Sequence, residues 1–253
     1  MTKGCLNMAG INDGIGRMNK KIISFLMIGQ SNMAGRGEFG EVEPINNEMC
    51  YMLRMGRWQP MNEPINPDRP VFGTMFHSGV GLAASFADEM AKYSGSSIGL
   101  IPCADGWTSI AERMPGEVLF DHAVMMTKLA MRTSDLGGII WHQGEKDCVR
   151  YDPERYKNNL IAMMTELRRA LDAENKPIIL GELSEQIGKE EVWRNETPKM
   201  NILLREIASE LPHCAVASSS GLTMKADGIH FDSKSLRELG RRYFKKYIEV
   251  AEL

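Results

Sequence analysis

The sequence predicts an α/β fold, a three-layer α/β/α sandwich built on about five parallel strands. Three observations lead there. Short apolar runs with little or no polar alternation recur along the chain, as strands buried on both faces require. Longer amphipathic stretches separate those runs. Two of the stretches open on helix-start pairs, Asp152-Pro153 and Thr197-Pro198.

Ile22 to Ile28 is the first apolar run, and Gly29 follows it at once. The polar, proline-rich region from Glu38 to Arg69 predicts an irregular excursion over the strand ends, where clefts are often shaped. After Gly79-Val80-Gly81, the spacing of Leu82, Phe86 and Met90 predicts a helix. Ser97 to Ile101 is the second strand, and Val118, Met125, Met126 and Leu129 then mark a helical stripe. Gly138 to Trp141 is the third strand. Behind the cap Asp152-Pro153, one helix face carries Tyr156, Leu160, Met163, Met164, Leu167 and Leu171. Ile178 to Leu180 is the fourth strand. Thr197-Pro198 starts the helix of Met200, Leu203, Leu204 and Ile207. Ala215 to Ala217 is the fifth strand, and Asp232 or Ser233 caps a last helix carrying Leu236, Tyr243, Phe244 and Tyr247. Alternation of this kind implies βαβ units. Residues 21–253 are expected to form a single domain, with residues 1–20 a flexible leader and Met18 a candidate start.

Composition narrows the function. Thirty Lys and Arg face 33 Asp and Glu, so no basic excess favours nucleic acid or an anionic membrane. No apolar run approaches the roughly 18 residues of a membrane span, and no signal-peptide core precedes Arg17. The five cysteines are odd in number and form no CxxC pair, which argues against a disulfide framework and a zinc knuckle. Free thiols suit a reducing compartment, so a cytoplasmic location is expected. No histidines sit at a metal-ligand spacing, so no metal is expected. The nineteen methionines read as adaptable packing, with no cofactor implied.

Chemistry concentrates in four segments. Gly29-Gln30-Ser31-Asn32-Met33-Ala34-Gly35-Arg36-Gly37 places Ser31 on a glycine-bracketed turn beyond a strand, where open α/β sheets bind ligands. A serine hydroxyl needs an adjacent base to become a nucleophile. Asp227-Gly228-Ile229-His230 offers one, with Asp227 spaced to hold one imidazole nitrogen of His230. Trp141-His142-Gln143-Gly144-Glu145 ends the central run; Gln143 can donate to a developing oxyanion, a role worth about 3 to 4 kcal/mol, and Glu145 can anchor the turn. Gly79-Val80-Gly81 precedes a helix, where unpaired amides make natural oxyanion donors. Taken singly, each has a structural reading: a capping serine, a structural Asp–His pair, loop-satisfying side chains, a plain loop-to-helix turn.

In this order, GQSNMAGRG, WHQGE and DGIH resemble the SGNH hydrolase superfamily, and more narrowly carbohydrate esterase family 6 and sialate O-acetylesterase-type domains. Ile101-Pro102-Cys103-Ala104 and Leu119 to Val124 are similar to further segments of that family, so the likeness runs over nearly the whole chain. It implies a flavodoxin-like fold and metal-free removal of acetyl groups from carbohydrate hydroxyls. It further implies Ser31 as nucleophile, His230 as base and Asp227 as its orienter. The Ser31 amide, Gly79 or alternatively Gly81, and Gln143 would form the oxyanion hole. The expected substrate is acetylated xylan, xylo-oligosaccharide or a similar glycan, hydrolysed through an acetyl-serine. A sialate O-acetylesterase, a short-chain lipase or thioesterase, and a non-catalytic carbohydrate-binding module are the alternatives. Gln30, Asn32, Arg36, Trp107, His142 and Glu145 are candidate substrate contacts, although His142 also suits a structural role. Two departures from the family pattern stand near the cleft: Lys146 within Gly144-Glu145-Lys146-Asp147, and Trp107 within Gly106-Trp107-Thr108. Trp107 suits either a wall of the acyl pocket or a sugar-stacking face. Of the other histidines, His122 is expected to pack on its helix stripe, His77 to border the cleft, and His213 to start a strand. The sequence carries no sign of oligomeric state.

Overall fold

A computed structural model describes residues 21–67, 77–188 and 190–251; the expected leader over residues 1–20, Cys5 and Arg69 lie outside the described residues. The strands are β1 (Ile22–Gly29), β2 (Cys50–Arg54), β3 (Arg57–Pro60), β4 (Ile98–Ala104), β5 (Ser134–His142), β6 (Ile178–Gly181) and β7 (Cys214–Ala217). They form one sheet in the order β3-β2-β4-β1-β5-β6-β7. Every neighbouring pair is parallel except the β2–β3 hairpin.

The five apolar runs all appear as parallel strands, β1 and β4 to β7. β1 takes the centre because both of its faces are apolar. Phe25 and Met27 belong to one core and Leu26 and Ile28 to the other, all at most 1 % exposed. The chain leaves β1 to form β2, β3 and β4 on one side and later enters β5 on the other. The strand order therefore reverses at β1, and a crevice opens beyond its carboxyl end.

Helices cover both faces. The helices are α1 (Ser31–Ala34), α2 (Leu82–Ser94), α3 (Val118–Met131), α4 (Glu145–Cys148), α5 (Pro153–Ala170), α6 (Glu191–Glu210) and α7 (Ser233–Ala251), with a 3-10 turn at Ile110–Arg113. On one face α2 and α7 pack together, with Phe25 set edge-on against Phe86 and Tyr247 at 4.9 and 5.2 Å. Gly240 lets them approach closely, since a Cβ there would lie 2.0 Å from the Leu82 carbonyl oxygen. α3, α5 and α6 cover the other face. Asp152 caps α5 by accepting from the Arg155 amide at 3.0 Å, with Pro153 in the first turn. Asp232 caps α7 by accepting from the Ser235 amide at 2.8 Å.

Four expectations need correction. The Glu38 to Arg69 excursion contains β2 and β3, so the sheet has seven strands, one of them antiparallel. α3 turns a different stripe inward: Phe120, Ala123, Thr127 and Ala130 are buried, whereas Val118 and Met125 are 79 % and 59 % exposed. Small residues let the helix lie close on the sheet, and this outweighs the larger side chains. His122 is exposed with them, so it does not pack on the buried stripe. α6 begins at Glu191, which places Pro198 inside it at the cost of a helix hydrogen bond. Burial of Trp193, whose indole N–H donates to the Glu145 carbonyl at 3.0 Å, holds that early turn in place.

Candidate active site

β1 ends at Gly29 with φ 146°, and a Cβ there would sit 2.2 Å from the His142 carbonyl oxygen. Only glycine permits this close pass between β1 and β5. Two residues on, Ser31 opens the single-turn helix α1. The first amides of a helix have no intrahelical acceptor, so Ser31 presents both a hydroxyl and an amide to the crevice.

The loop before α7 meets it. Ser31 Oγ lies 2.9 Å from His230 Nε2, and His230 Nδ1 lies 2.9 Å from Asp227 Oδ2. Asp227 Oδ1 also accepts the amides of Ile229 and His230 at 2.9 and 3.0 Å. Burial pushes the Asp227 carboxyl upward. The donated amides and the His230 ring outweigh that and hold it below its ordinary value. His230 is held below the ordinary imidazole value by burial, against the pull of Asp227. At neutral pH the ring is therefore neutral, with its Nδ1–H on Asp227 and the Nε2 lone pair on the Ser31 hydroxyl. This arrangement can take the proton of Ser31 as the hydroxyl attacks a carbonyl.

Asn32 fixes the geometry from behind. Its amide donates to Glu145 Oε1 at 2.6 Å and to the Ile229 carbonyl at 3.3 Å, and its oxygen accepts from the Phe231 amide at 3.1 Å. Both sequence neighbours of His230 are thus tied to the residue after Ser31. Beneath Asn32, burial pushes the Glu145 carboxyl up to about 7 and the His142 ring down to about 3. Tyr243 donates its hydroxyl to the Trp141 carbonyl at 2.6 Å, so it accepts from His142 Nδ1–H at 3.0 Å. That tautomer leaves the His142 Nε2 lone pair 3.7 Å from Glu145 Oε1. A neutral, protonated Glu145 suits the site.

These facts correct several expected substrate contacts. Gln30, Asn32, His142 and Glu145 are at most 1 % exposed and face the protein interior. Their partners are backbone, one another and the buried side chains of Gln143 and Tyr243, so they build the site without lining it. Gln30 accepts from Gln143 at 3.3 Å and from the Gly144 and Lys146 amides at longer range. Arg36 remains at the site, half-buried, with its Nη1 donating to the Gly35 carbonyl at 2.8 Å. Trp107 is 45 % exposed. His77 is exposed, and His213 stands just before β7.

The glycine amides expected as oxyanion donors are engaged elsewhere. Gly79 N–H donates to the Gly35 carbonyl at 3.1 Å, and Gly81 N–H to Glu63 Oε1 at 2.8 Å. The first amide braces the loop after Ser31, and the second holds the Glu63 carboxylate that also pairs with Arg237. Gln143 is fully buried; its amide lies 3.0 Å from the Thr108 carbonyl and also reaches Asp147, and its oxygen accepts from Tyr156 at 3.0 Å. Gly106, to which the sequence assigned no role, stands beside Ser31. A Cβ on it would lie 3.7 Å from Ser31 Cβ and 2.8 Å from Arg36 Nη2. The available signal was its place just beyond β4, the other strand at the reversal point. Arg113 is a second omission. Fully buried, it donates to the Gly29 carbonyl and to Thr108 Oγ1, tying the end of β1 to the loop after β4.

Among the described residues, no group of three or more His, Cys, Asp or Glu could hold a metal ion, and no helix is long and apolar enough to cross a membrane. Residues 21–249 match the family described as "Carbohydrate esterase, sialic acid-specific acetylesterase". A probable carbohydrate esterase of Arabidopsis thaliana is 27 % identical over 245 residues, covering 88 % of this chain and 89 % of its own. The crystal structure of that plant protein superposes with a TM-score of 0.78 at 26 % identity, over 90 % of this chain and 98 % of its own. NanS shares the fold with a TM-score of 0.70 at 16 % identity, over 91 % of this chain and 97 % of its own. An acetyl xylan esterase from Geobacillus stearothermophilus does so with a TM-score of 0.56 at 14 % identity, over 90 % and 95 %.

Proposed function

The chain belongs to the carbohydrate esterase family described as sialic acid-specific acetylesterase, a carboxylic ester hydrolase, and from that membership we propose that it deacetylates xylo-oligosaccharides or similar glycans through an acetyl-serine. Ser31 attacks the acetyl carbonyl while His230 Nε2 takes its proton. Asp227 holds the ring tautomer and stabilises the imidazolium. The same proton then passes to the departing sugar hydroxyl. Water, deprotonated by His230, releases acetate from Ser31. The single observation that carries this reading is the unbroken chain of contacts Ser31–His230–Asp227, each 2.9 Å.

The oxyanion is received by the amide of Ser31 in this reading. Gln143 keeps a place because its contact with Gln30, at 3.3 Å, is the longest its amide makes, and a proton on that contact is the easiest to redirect. A cytoplasmic site of action is part of the proposal, in keeping with the free thiols Cys50, Cys103, Cys148 and Cys214. The test is acetate release from a panel of acetylated xylo-oligosaccharides and acetylated sialosides, by wild type and Ser31→Ala. The expected result is release from the xylo-oligosaccharides that the variant loses. Preferential release from sialosides would replace the proposed substrate; full activity in the variant would remove Ser31 as nucleophile.

A further inference from the structure

Beside the candidate catalytic centre a groove of about 500 Å³ opens between the loop after β4 and the start of α5. Trp107, Ile110, Lys146, Arg150 and Arg155 are among its lining residues. Gly106 abuts Ser31, and the next residue, Trp107, lines the groove. We propose that this groove is a leaving-group subsite for the sugar units flanking the acetylated one, with Trp107 as its stacking platform. The substrate class is then an acetylated oligosaccharide, not an acetylated monosaccharide. This proposal rests on the acetylesterase reading above.

The platform is built and rigid. Trp107 holds φ at 56°, a conformation that is strained for a non-glycine residue, and stands 45 % exposed. Trp193 braces it edge-on, with ring centroids 6.3 Å apart and planes at 88°. Trp193 is itself buried and fixed by its bond to the Glu145 carbonyl. An indole held on one side and open on the other offers a flat face to the C–H side of a sugar ring.

The rest of the groove suits hydroxyl groups. Lys146 contacts Glu112 at 2.8 Å and remains part-exposed, while Arg150 and Arg155 reach solvent. Asp147 and Asp152 also line the groove, so both signs are present. A long acyl chain laid there would leave these groups facing apolar carbon, which is costly. Sugar hydroxyls can donate to the carboxylates and accept from the cations. The volume falls within the roughly 300–1,000 Å³ of small-molecule sites, far more than an acetyl group needs.

The experiment has two arms on the full chain. The first compares kcat/KM for acetylated xylotriose and acetylated xylose in wild type, Trp107→Ala and Trp107→Tyr. Wild type is expected to favour the trimer, the preference to fall about tenfold in Trp107→Ala, and Trp107→Tyr to restore most of it, since one stacked ring is worth about one decade of affinity. The second titrates unacetylated xylotriose against wild type and Trp107→Ala by isothermal titration calorimetry. Saturable binding that the alanine variant lacks supports the subsite. An unchanged trimer-to-monomer ratio in Trp107→Ala, or no binding of xylotriose by wild type, overturns it. Wild-type preference for long acyl chains that Trp107→Ala abolishes makes the groove an acyl pocket and also overturns it. Binding of xylotriose without acetate release from any ester would instead defeat the esterase reading and leave the sugar site standing.

Discussion

Replacing Glu145 by Gln should leave the protein as stable in acid and make it more stable at alkaline pH. Glu145 is 1 % exposed; its Oε1 accepts from Asn32 at 2.6 Å, and its Oε2 has no partner among the described residues. Burial pushes the carboxyl from 4.5 up to about 7. The unfolded chain therefore ionises Glu145 above about 4.5, while the folded protein keeps the proton until about 7. Unfolding releases a proton within that window, so stability falls as pH rises through it and is level above. A tenfold change in proton affinity is worth about 1.4 kcal/mol, so the whole loss is about 3 kcal/mol. Gln cannot ionise and keeps an oxygen for Asn32. His142 adds the opposite slope: burial holds its folded value at about 3, so stability is lost as pH falls below 6.5. That contribution is common to both proteins and cancels in their difference. Urea unfolding at about pH 5 and about pH 8 reads the difference from the midpoints. The Gln variant should gain about 2 to 3 kcal/mol on wild type between the two. A difference that stays level across the window, or a Gln variant less stable at the higher pH, refutes a neutral Glu145.

Three further outcomes follow from the same contacts. The acid limb of kcat/KM should have its midpoint below 6.5, because burial holds His230 down and only its neutral form can take the Ser31 proton; a pH–rate profile with the midpoint above that value contradicts the assignment. Asn32→Ala orphans the Phe231 amide and Glu145 Oε1, and two buried unpaired groups cost about 2 to 5 kcal/mol; a loss under about 1 kcal/mol in urea unfolding would show that the clamp is dispensable. Asp227→Asn should lower kcat by up to about 10⁴-fold by favouring the wrong His230 tautomer, and steady-state kinetics within about tenfold of wild type would remove Asp227 from that role.

The parallel strands were legible because burial on both faces leaves a run such as Phe25-Leu26-Met27-Ile28 no polar position. The β2–β3 hairpin was hidden for the opposite reason. Its strands are short and partly exposed, and β3 is Arg57-Trp58-Gln59-Pro60. Its two-residue turn is Met55-Gly56, both at positive φ, without the Asn-Gly or Asp-Gly signature such turns usually carry. The stripe of α3 is hidden because bulk does not follow burial there: Ala123 and Ala130 set the contact distance. Within the candidate site, the meeting of Ser31, His230 and Asp227 was legible because a turn serine, a histidine and a carboxylate three residues from it suit one another chemically. The amide donors were not, since a backbone N–H belongs to no residue type. Gly79 and Gly106 both precede or follow an element at the right end of the sheet, and only the fold shows that the Gly79 amide is already held by Gly35.

The most direct measurement is rapid-quench mass spectrometry of the peptide carrying Ser31 during turnover of an acetylated xylo-oligosaccharide. The predicted result is one acetyl group on Ser31, accumulating before steady state and absent in Ser31→Ala. Steady release of acetate with no acetyl group on Ser31, or turnover undiminished in Ser31→Ala, would contradict a covalent mechanism at this residue.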